Sequence, residues 1–263
     1  MIANLSRDIS SLLAKRGPTT APLVVPLRLT DEQRELILQR TGLRVKTLPY
    51  SSEARALRCR FGGISLRVPR GVFVPAARTE DAFDVAREAA RVFPTPTVVD
   101  VGTGSGAVAL ALAFALPDAS VYATEVSEIA VRCARRNRAR LELRNVRVLH
   151  GSLLEPLPTR LRRHVAVIVG NVPYLPAHTA YAADQIFPRG TAVASGADGL
   201  DLVRELALTA RAFLSPRASL ILQLAEFQWA GLESELRGLG YAHVELARAS
   251  TGGAVIASAI WPA

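Results

Sequence analysis

Short apolar runs alternate with segments of helical periodicity from residue 97 onward. The first of them, TVVDV at 97–101, is a mainly apolar run that is typical of a strand buried on both faces of a parallel sheet. The segments between them carry one apolar face, for example Val203, Leu206 and Ala210. This alternation predicts a doubly wound, Rossmann-like α/β sheet of seven strands, with ligands at the carboxyl ends of the strands. The predicted strands are 97–101, 121–125, 146–149, 164–170, 219–224, 243–247 and 254–259.

Polar residues indicate where the helices between these strands begin. Thr79, Ser127 and Asp198 each precede an apolar-periodic segment, and their side chains can accept a hydrogen bond from an N–H of the first turn. One segment is apolar almost all round and is therefore expected to be buried. The predicted helices are 79–92, 105–116, 127–141, one that begins at Asp198, and 228–239.

Two smaller units are predicted ahead of the sheet. LRCRF (57–61) and ISLRV (64–68) are joined by two glycines, which predicts a β-hairpin. Residues 1–50 suggest two short helices, kept apart by the prolines of 17–26. The predicted domains are a small helical N-terminal region (1–50), a hairpin linker (51–78) and the main α/β domain (79–263).

A glycine-rich loop, GTGSG at 102–106, follows the first strand of the sheet. Glycines let the backbone turn sharply and let a ligand lie directly against it. Asp100, just before the loop, could take up a cationic amino group. Glu125 ends the next strand and could accept hydrogen bonds from both hydroxyls of a ribose. An acid about 20 residues after a glycine turn indicates a nucleoside site, and the alternative is a tight turn with a chance acid.

A second motif, Asn171-Val172-Pro173-Tyr174, directly follows the strand at 164–170. An amide or amino nitrogen with a delocalised lone pair is a poor nucleophile. The Asn171 side-chain oxygen and the Val172 carbonyl could accept its two hydrogens, and Tyr174 could stack on the planar group. The motif therefore predicts a site that orients a planar nitrogen for reaction. An altered acceptor and a purely structural turn are the alternatives.

Both motifs resemble those of class I, S-adenosylmethionine-dependent methyltransferases, the second being similar to their (N/D)PP(Y/F) motif. Across residues 57–259, the order of the hairpin, VFVPAARTE, GNVPYLP and FPRGTAVASGADGLDLVREL resembles the HemK/PrmC family. That family methylates the glutamine side chain of peptide-chain release factors, so the resemblance implies a transferase with S-adenosyl-L-methionine as cofactor and a protein glutamine as acceptor.

The resemblance also assigns roles to individual positions. Catalysis is expected at Asn171, Val172, Pro173 and Tyr174. Cofactor contacts are expected at Thr79, Asp100, Gly102, Thr103, Gly104, Gly106, Glu125, Val126, Ser152, Leu153 and Asn171.

The chain departs from the family pattern at positions that bear mainly on the acceptor. Val172 stands where the family has its first proline, which keeps the carbonyl but loses the φ restraint. Ser152 replaces an acidic residue, only Thr79 and Glu80 match the family's Arg-Pro-Glu-Thr-Glu run, and the N-terminal region is short. Three alternatives stay open: a small-molecule N-methyltransferase or fold-borrowing cyclase of a specialised pathway, an RNA or DNA amino-methyltransferase, and a non-enzymatic cofactor-sensing protein.

Composition and charge add little to the predicted fold and function. The net charge is +9, and of 32 basic residues two are lysines and 30 are arginines. The densest arginine run, 132–140, fits either a solvated helix face or a nucleic-acid contact. Cys59 and Cys133 are far apart, which argues against a disulfide or a zinc site, and no metal is expected. The longest apolar run, 107–116, is half of a membrane span and no signal peptide is visible, so a cytoplasmic location without a membrane partner is expected.

Overall fold

The computed structural model describes residues 23–24, 45–46, 56–179, 194–249 and 254–262. The chain divides into two compact units, residues 1–52 and 53–263. In the first unit the described residues form two short parallel strands, β1 (Leu23–Val24) and β2 (Val45–Lys46). The two helices expected within residues 1–50 lie outside the described part of the chain.

The second unit begins with an antiparallel β-hairpin of β3 (Leu57–Phe61) and β4 (Ile64–Val68), as predicted. Gly62 and Gly63 form the turn, and both have positive φ angles, of 51° and 85°. A two-residue turn with positive φ at both positions follows the right-handed twist of the flanking strands. The hairpin is therefore held in register by its glycines.

A seven-stranded sheet forms the centre of the second unit. Its strands are β5 (Thr97–Val101), β6 (Ser120–Glu125), β7 (Val146–His150), β8 (Val165–Gly170), β9 (Leu214–Ala225), β10 (Ala242–Ala249) and β11 (Ala254–Ile260). Their spatial order is β10-β11-β9-β8-β5-β6-β7. The prediction of a seven-stranded α/β sheet is confirmed.

One strand runs against the predicted parallel direction. β11 is antiparallel to both of its neighbours, β9 and β10, whereas the other neighbouring pairs are parallel. Only four residues, 250–253, connect β10 to β11. A parallel connection needs a crossover of roughly a dozen residues or more, so the short connection explains the reversed strand.

Five helices of the described chain cover the two faces of the sheet. The hairpin and the first three helices share one apolar core with one face, and the last two share a second core with the other face. Among the described residues, no helix has the length and apolarity needed to cross a membrane. The helices are α1 (Ala77–Ala90), α2 (Ala107–Ala115), α3 (Glu128–Arg140), α4 (Asp201–Ala210) and α5 (Trp229–Gly238).

Three of the predicted helix starts are wrong by two or three residues, since α2 begins at Ala107 instead of residue 105, and the other two were predicted from a polar cap. α1 begins at Ala77, so Thr79 lies within its first turn, where its Oγ1 accepts a hydrogen bond from the Ala76 N–H. α4 begins at Asp201, and Asp198 instead accepts a hydrogen bond from the Leu200 N–H in the preceding turn. In both cases the polar side chain stabilises the entry to the helix, but from a different position than the predicted cap.

Candidate active site

A cavity of about 360 Å³ opens where β5, β6, β7 and β8 end. This volume falls in the range of small-molecule and cofactor sites, roughly 300–1,000 Å³. The cavity brings together every predicted site residue except Gly106. Those that line it are Thr79, Asp100, Gly102, Thr103, Gly104, Glu125, Val126, Ser152, Leu153, Asn171, Val172, Pro173 and Tyr174.

The glycine loop forms one wall of the cavity and lies against the Asn171 motif. Gly102 and Gly104 have φ angles of 70° and 57°, a region that favours glycine. A Cβ atom added at Gly102 would lie 3.6 Å from Val172 Cγ1 and 3.8 Å from the Asn171 carbonyl oxygen. The two motifs that the sequence separates by about 65 residues are therefore immediate neighbours.

Gly106 serves packing rather than the cavity. Its φ angle is 86°, and an added Cβ would lie 2.8 Å from Leu110 Cδ1 and 3.2 Å from Ala134 Cβ. The start of α2 thus approaches α3 closely, and a side chain would obstruct this approach. Unlike Gly102 and Gly104, Gly106 does not line the cavity.

Gly106→Ala is expected to destabilise the fold by about 2 kcal/mol, from left-handed strain and overpacking together. Gly63 is a matched control, because its φ of 85° is nearly the same but an added Cβ would have only ordinary contact, at 3.7 Å from Phe114 Cε1. In Gly63→Ala the free energy of unfolding should therefore fall only by the part that is due to backbone strain. Urea unfolding of both variants measures this difference. An equal fall in the free energy of unfolding would show that crowding at Gly106 is unimportant.

Asp100 is a buried carboxylate beneath the glycine loop, 3% exposed. Its Oδ2 accepts hydrogen bonds from Thr103 Oγ1 at 2.6 Å and from the Ala109 N–H at 2.9 Å. Burial raises the pKa of Asp100 to about 6, the two hydrogen bonds oppose that rise, and the charge of Glu125 adds to it. A cation bound beside Asp100 would favour the ionised form.

Glu125 is held by the backbone on both sides. Its Oε2 accepts a hydrogen bond from the Gly104 N–H and its Oε1 from the Ser127 N–H, each at 2.9 Å. Each carboxylate oxygen keeps a further lone pair for a ligand. The next residue, Val126, is 66% exposed and lines the cavity with its apolar side chain. Glu125 therefore offers hydrogen-bond acceptors for hydroxyl groups, and Val126 beside it offers an apolar surface for a flat ring.

The end of β7 closes this part of the cavity. The Gly151 N–H donates to the Glu125 carbonyl oxygen at 3.0 Å, which ties the ends of β6 and β7 together. Ser152 and Leu153 follow and line the cavity, with Leu153 at a φ angle of 42°. They complete the wall around the exposed Val126 side chain.

The Asn171 motif lies at the end of β8. Its asparagine side chain is available for hydrogen bonding to a ligand, and its valine side chain is buried. Among the described residues, no hydrogen bond engages the Asn171 side chain, which lines the cavity. Val172 is 3% exposed and belongs to the apolar core beneath the sheet. The valine side chain therefore serves packing, and the residue keeps the backbone carbonyl that a proline would also offer.

Tyr174 is held at both ends by two glutamines that the sequence analysis missed. Gln223 Nε2 donates to its hydroxyl at 3.1 Å, and Gln228 Nε2 donates to its carbonyl oxygen at 2.7 Å. Gln228 also donates to the Asp198 carbonyl, and its Oε1 accepts from the Ala225 N–H. This buried side chain thus ties the segment after β8 to the end of β9.

Gln223 lies within β9, lines the cavity and is 2% exposed. Its Oε1 has no hydrogen-bond partner in the described part of the chain. An unsatisfied buried polar atom costs about 1–3 kcal/mol, so such atoms are uncommon without a functional reason. The sequence did contain a signal, because Gln223 is a single amide within the apolar run 220–224.

Comparison with known proteins connects this geometry to a family. Residues 80–225, more than half of the chain, match the family described as "Methyltransferase small domain". A release factor glutamine methyltransferase from Deinococcus radiodurans is 38% identical over 183 residues, which cover 69% of this chain and 64% of that protein. A 4-amino-L-phenylalanine/4-methylamino-L-phenylalanine methyltransferase from Streptomyces pristinaespiralis is 30% identical over 187 residues, covering 68% of this chain and 63% of that protein. The chain therefore spans just under two thirds of the length of these relatives.

Solved structures show the same fold. A 16S rRNA methyltransferase from T. thermophilus, in complex with AdoMet and guanosine, superposes with a TM-score of 0.60 at 21% identity and covers 83% of this chain and 53% of that one. Family match, sequence relatives and fold agree. The chain belongs to the methyltransferase small domain family and has the fold of the class I, S-adenosylmethionine-dependent methyltransferases.

Proposed function

We propose that this chain transfers a methyl group from S-adenosylmethionine to a planar nitrogen, with the glutamine side chain of a peptide-chain release factor as the acceptor. The observation that carries the proposal is the shared cavity, in which the glycine loop and the Asn171 motif adjoin at Gly102. The name of the Deinococcus radiodurans relative supports the choice of acceptor.

The residues of β5 and β6 fit the proposed cofactor. Glu125 would accept hydrogen bonds from the ribose hydroxyls, Val126 would contact the adenine, and Asp100 would attract the cationic amino group. The open backbone at Gly102 and Gly104 leaves room for the remainder of the molecule. When bound, the cofactor supplies an electrophilic sulfonium methyl group, so the chain has mainly to position the acceptor.

The Asn171 motif would hold the acceptor nitrogen. The Asn171 Oδ1 and the Val172 carbonyl oxygen would accept its two hydrogens, which favours the pyramidal, more nucleophilic geometry. Tyr174, held by Gln223 and Gln228, would pack against the planar group. Such positioning can lower the barrier by up to roughly 7–11 kcal/mol for ideal orientation. The nitrogen's proton can leave after transfer, so no early base is required.

A second acceptor class is favoured by one specific observation, the relative from Streptomyces pristinaespiralis. The substrates in its name carry an amino group on an aromatic ring, and the lone pair of that nitrogen is also delocalised. The same arrangement of Asn171 and Val172 could hold that nitrogen. A small aromatic amine is therefore our alternative to a protein glutamine.

An assay of methyl transfer to purified substrates tests both proposed acceptors. The protein would be incubated with S-adenosylmethionine and either a purified bacterial release factor or 4-amino-L-phenylalanine, and the products would be examined by mass spectrometry. We expect one added methyl group on a glutamine side chain of the release factor. Methylation of the aromatic amine alone would replace the leading proposal with the alternative, and methylation of neither would contradict both.

Cofactor affinity is expected to fall about tenfold between pH 7 and pH 5. Burial raises the pKa of Asp100 to about 6, so the carboxylate that attracts the cofactor's amino group is protonated as the pH falls through that value. Calorimetric titration at pH 5, 6 and 7 measures the change. In Asp100→Asn the affinity should be weaker and should not vary in this window. A pH-independent affinity of the unaltered protein would place the amino group away from Asp100.

A further inference from the structure

Gln223 presents an unused hydrogen-bond acceptor to the cavity. The side chain is 2% exposed and is flanked along β9 by the buried Leu222 and Leu224. Its Nε2 donates to the Tyr174 hydroxyl at 3.1 Å, whereas its Oε1 has no partner among the described residues. A bound molecule that carries an N–H group would supply the missing hydrogen bond.

The position of Gln223 associates it with the acceptor rather than with the nucleoside. β9 pairs with β8, and their last registered pair is Gly170 and Leu222, so Gln223 follows directly beside Asn171. Glu125 ends β6, which is three strands away from β9 in the order β9-β8-β5-β6. At about 4.8 Å per strand, this separation is roughly 14 Å. Gln223 therefore lies at the opposite end of the cavity from the proposed ribose contact.

The surroundings of Gln223 fit an uncharged donor. The carboxylates among the described residues of the cavity lining are Asp100 and Glu125, on β5 and β6. Gln223 itself is neutral, and its neighbours in the strand are leucines. A cationic ammonium group at this end would lose its hydration without a charged partner. An amide or other neutral N–H group carries no such cost.

We propose that Gln223 selects the methyl acceptor, with its Oε1 accepting a hydrogen bond from an uncharged N–H of the acceptor molecule while its Nε2 holds the Tyr174 hydroxyl. This inference rests on the proposed transfer to a nitrogen held at Asn171. It adds a requirement to that function: the acceptor has a neutral donor group within reach of β9.

Two substitutions separate the effect of the Gln223 amide oxygen from the effect of the side chain's length. Gln223→Met keeps the length but removes the amide oxygen, and we expect the KM for the acceptor to rise at least about tenfold. Gln223→Glu keeps an oxygen at the same reach, and burial keeps the introduced carboxyl neutral, so that its O–H can replace Nε2 as the donor to Tyr174. The KM of this variant should therefore stay within about threefold of that of the unaltered protein. Ser219→Ala is the matched control, since Ser219 is a buried polar residue of the same strand outside the cavity lining. It should leave the KM unchanged.

Binding measurements keep the test independent of turnover. With S-adenosylhomocysteine present, calorimetry would give the dissociation constants of the release factor and of 4-amino-L-phenylalanine for each variant. Weaker acceptor binding in Gln223→Met, recovery in Gln223→Glu and unchanged affinity for S-adenosylhomocysteine would support the inference.

Three results would overturn it. Equal acceptor binding in Gln223→Met and the unaltered protein, where the latter transfers methyl groups, would refute the inference and leave the proposed function standing. A loss of S-adenosylhomocysteine affinity in Gln223→Met would assign the residue to the cofactor or the fold. Binding of neither acceptor to the unaltered protein would refute the inference and the proposed function together.

Discussion

Asn171→Ala should lower the rate of methyl transfer by about a thousandfold and leave cofactor affinity within about threefold. The Asn171 side chain has no hydrogen bond among the described residues, so its removal should not disturb the surrounding structure. What is lost is the oxygen that would hold the acceptor nitrogen in line with the methyl group. Turnover at saturating cofactor and acceptor, together with calorimetry of S-adenosylhomocysteine, measures the two effects separately.

Asn171→Asp is the matched variant for this experiment. It keeps an oxygen acceptor at the same position and should retain far more activity than Asn171→Ala. Turnover of the alanine variant near that of the unaltered protein would remove Asn171 from the mechanism. Equal losses of transfer and of cofactor affinity would indicate that Asn171 serves the cofactor rather than the acceptor.

Glu125→Ala is expected to weaken cofactor binding about a hundredfold, equivalent to about 2.8 kcal/mol. The carboxylate's charge-assisted hydrogen bonds to the ribose would be lost, and a hydrogen bond to a charged group contributes roughly 1.5–3 kcal/mol net. The Gly104 and Ser127 N–H groups would also lose the carboxylate that orients them. Titration of the variant with S-adenosylhomocysteine measures the loss.

Glu128→Ala provides the control for this second prediction. Glu128 lies on α3 close to Glu125 in the chain, but its side chain is 70% exposed, pairs with Arg132 and does not line the cavity. Its removal should leave cofactor affinity unchanged, because exposed ion pairs contribute little. Similar affinities for the Glu125 variant and the unaltered protein would show that the ribose is not bound at Glu125.

The elements of the fold could be predicted where the signal is local. Mainly apolar runs identified β5 and β8, and the Gly62-Gly63 pair identified the hairpin turn. The direction of β11 is wrong in the sequence-based prediction, because strand periodicity carries no information on orientation. The length of the connection at 250–253 did carry that information. The sequence predicts helix starts at Thr79 and Asp198 because these residue types favour the N-cap position. The observed helix boundary also depends on the conformation of the preceding turn, which the residue type does not determine.

The candidate site could be predicted as far as its motifs are contiguous. Asp100 and Glu125 lie in the last residues of β5 and β6, and Asn171 directly follows β8. Parallel strands bring their carboxyl ends to one edge of the sheet. Gly106 belongs to the glycine loop at 102–106, but its packing role depends on Ala134 of α3. Gln223 and Gln228 contact Tyr174 across about 50 residues of sequence. A local signal marked Gln223, the single amide in an apolar run, but the contact of both glutamines with Tyr174 is tertiary and could not be read from the sequence.

The most direct test is a crystal structure of the protein with S-adenosylhomocysteine. We expect the ribose hydroxyls at the Glu125 carboxylate, the backbone of Gly102 and Gly104 against the ligand, and the Asn171 side chain directed towards the space beside the sulfur atom. A ligand bound elsewhere, or an Asn171 side chain directed away from the sulfur, would contradict the proposed mechanism.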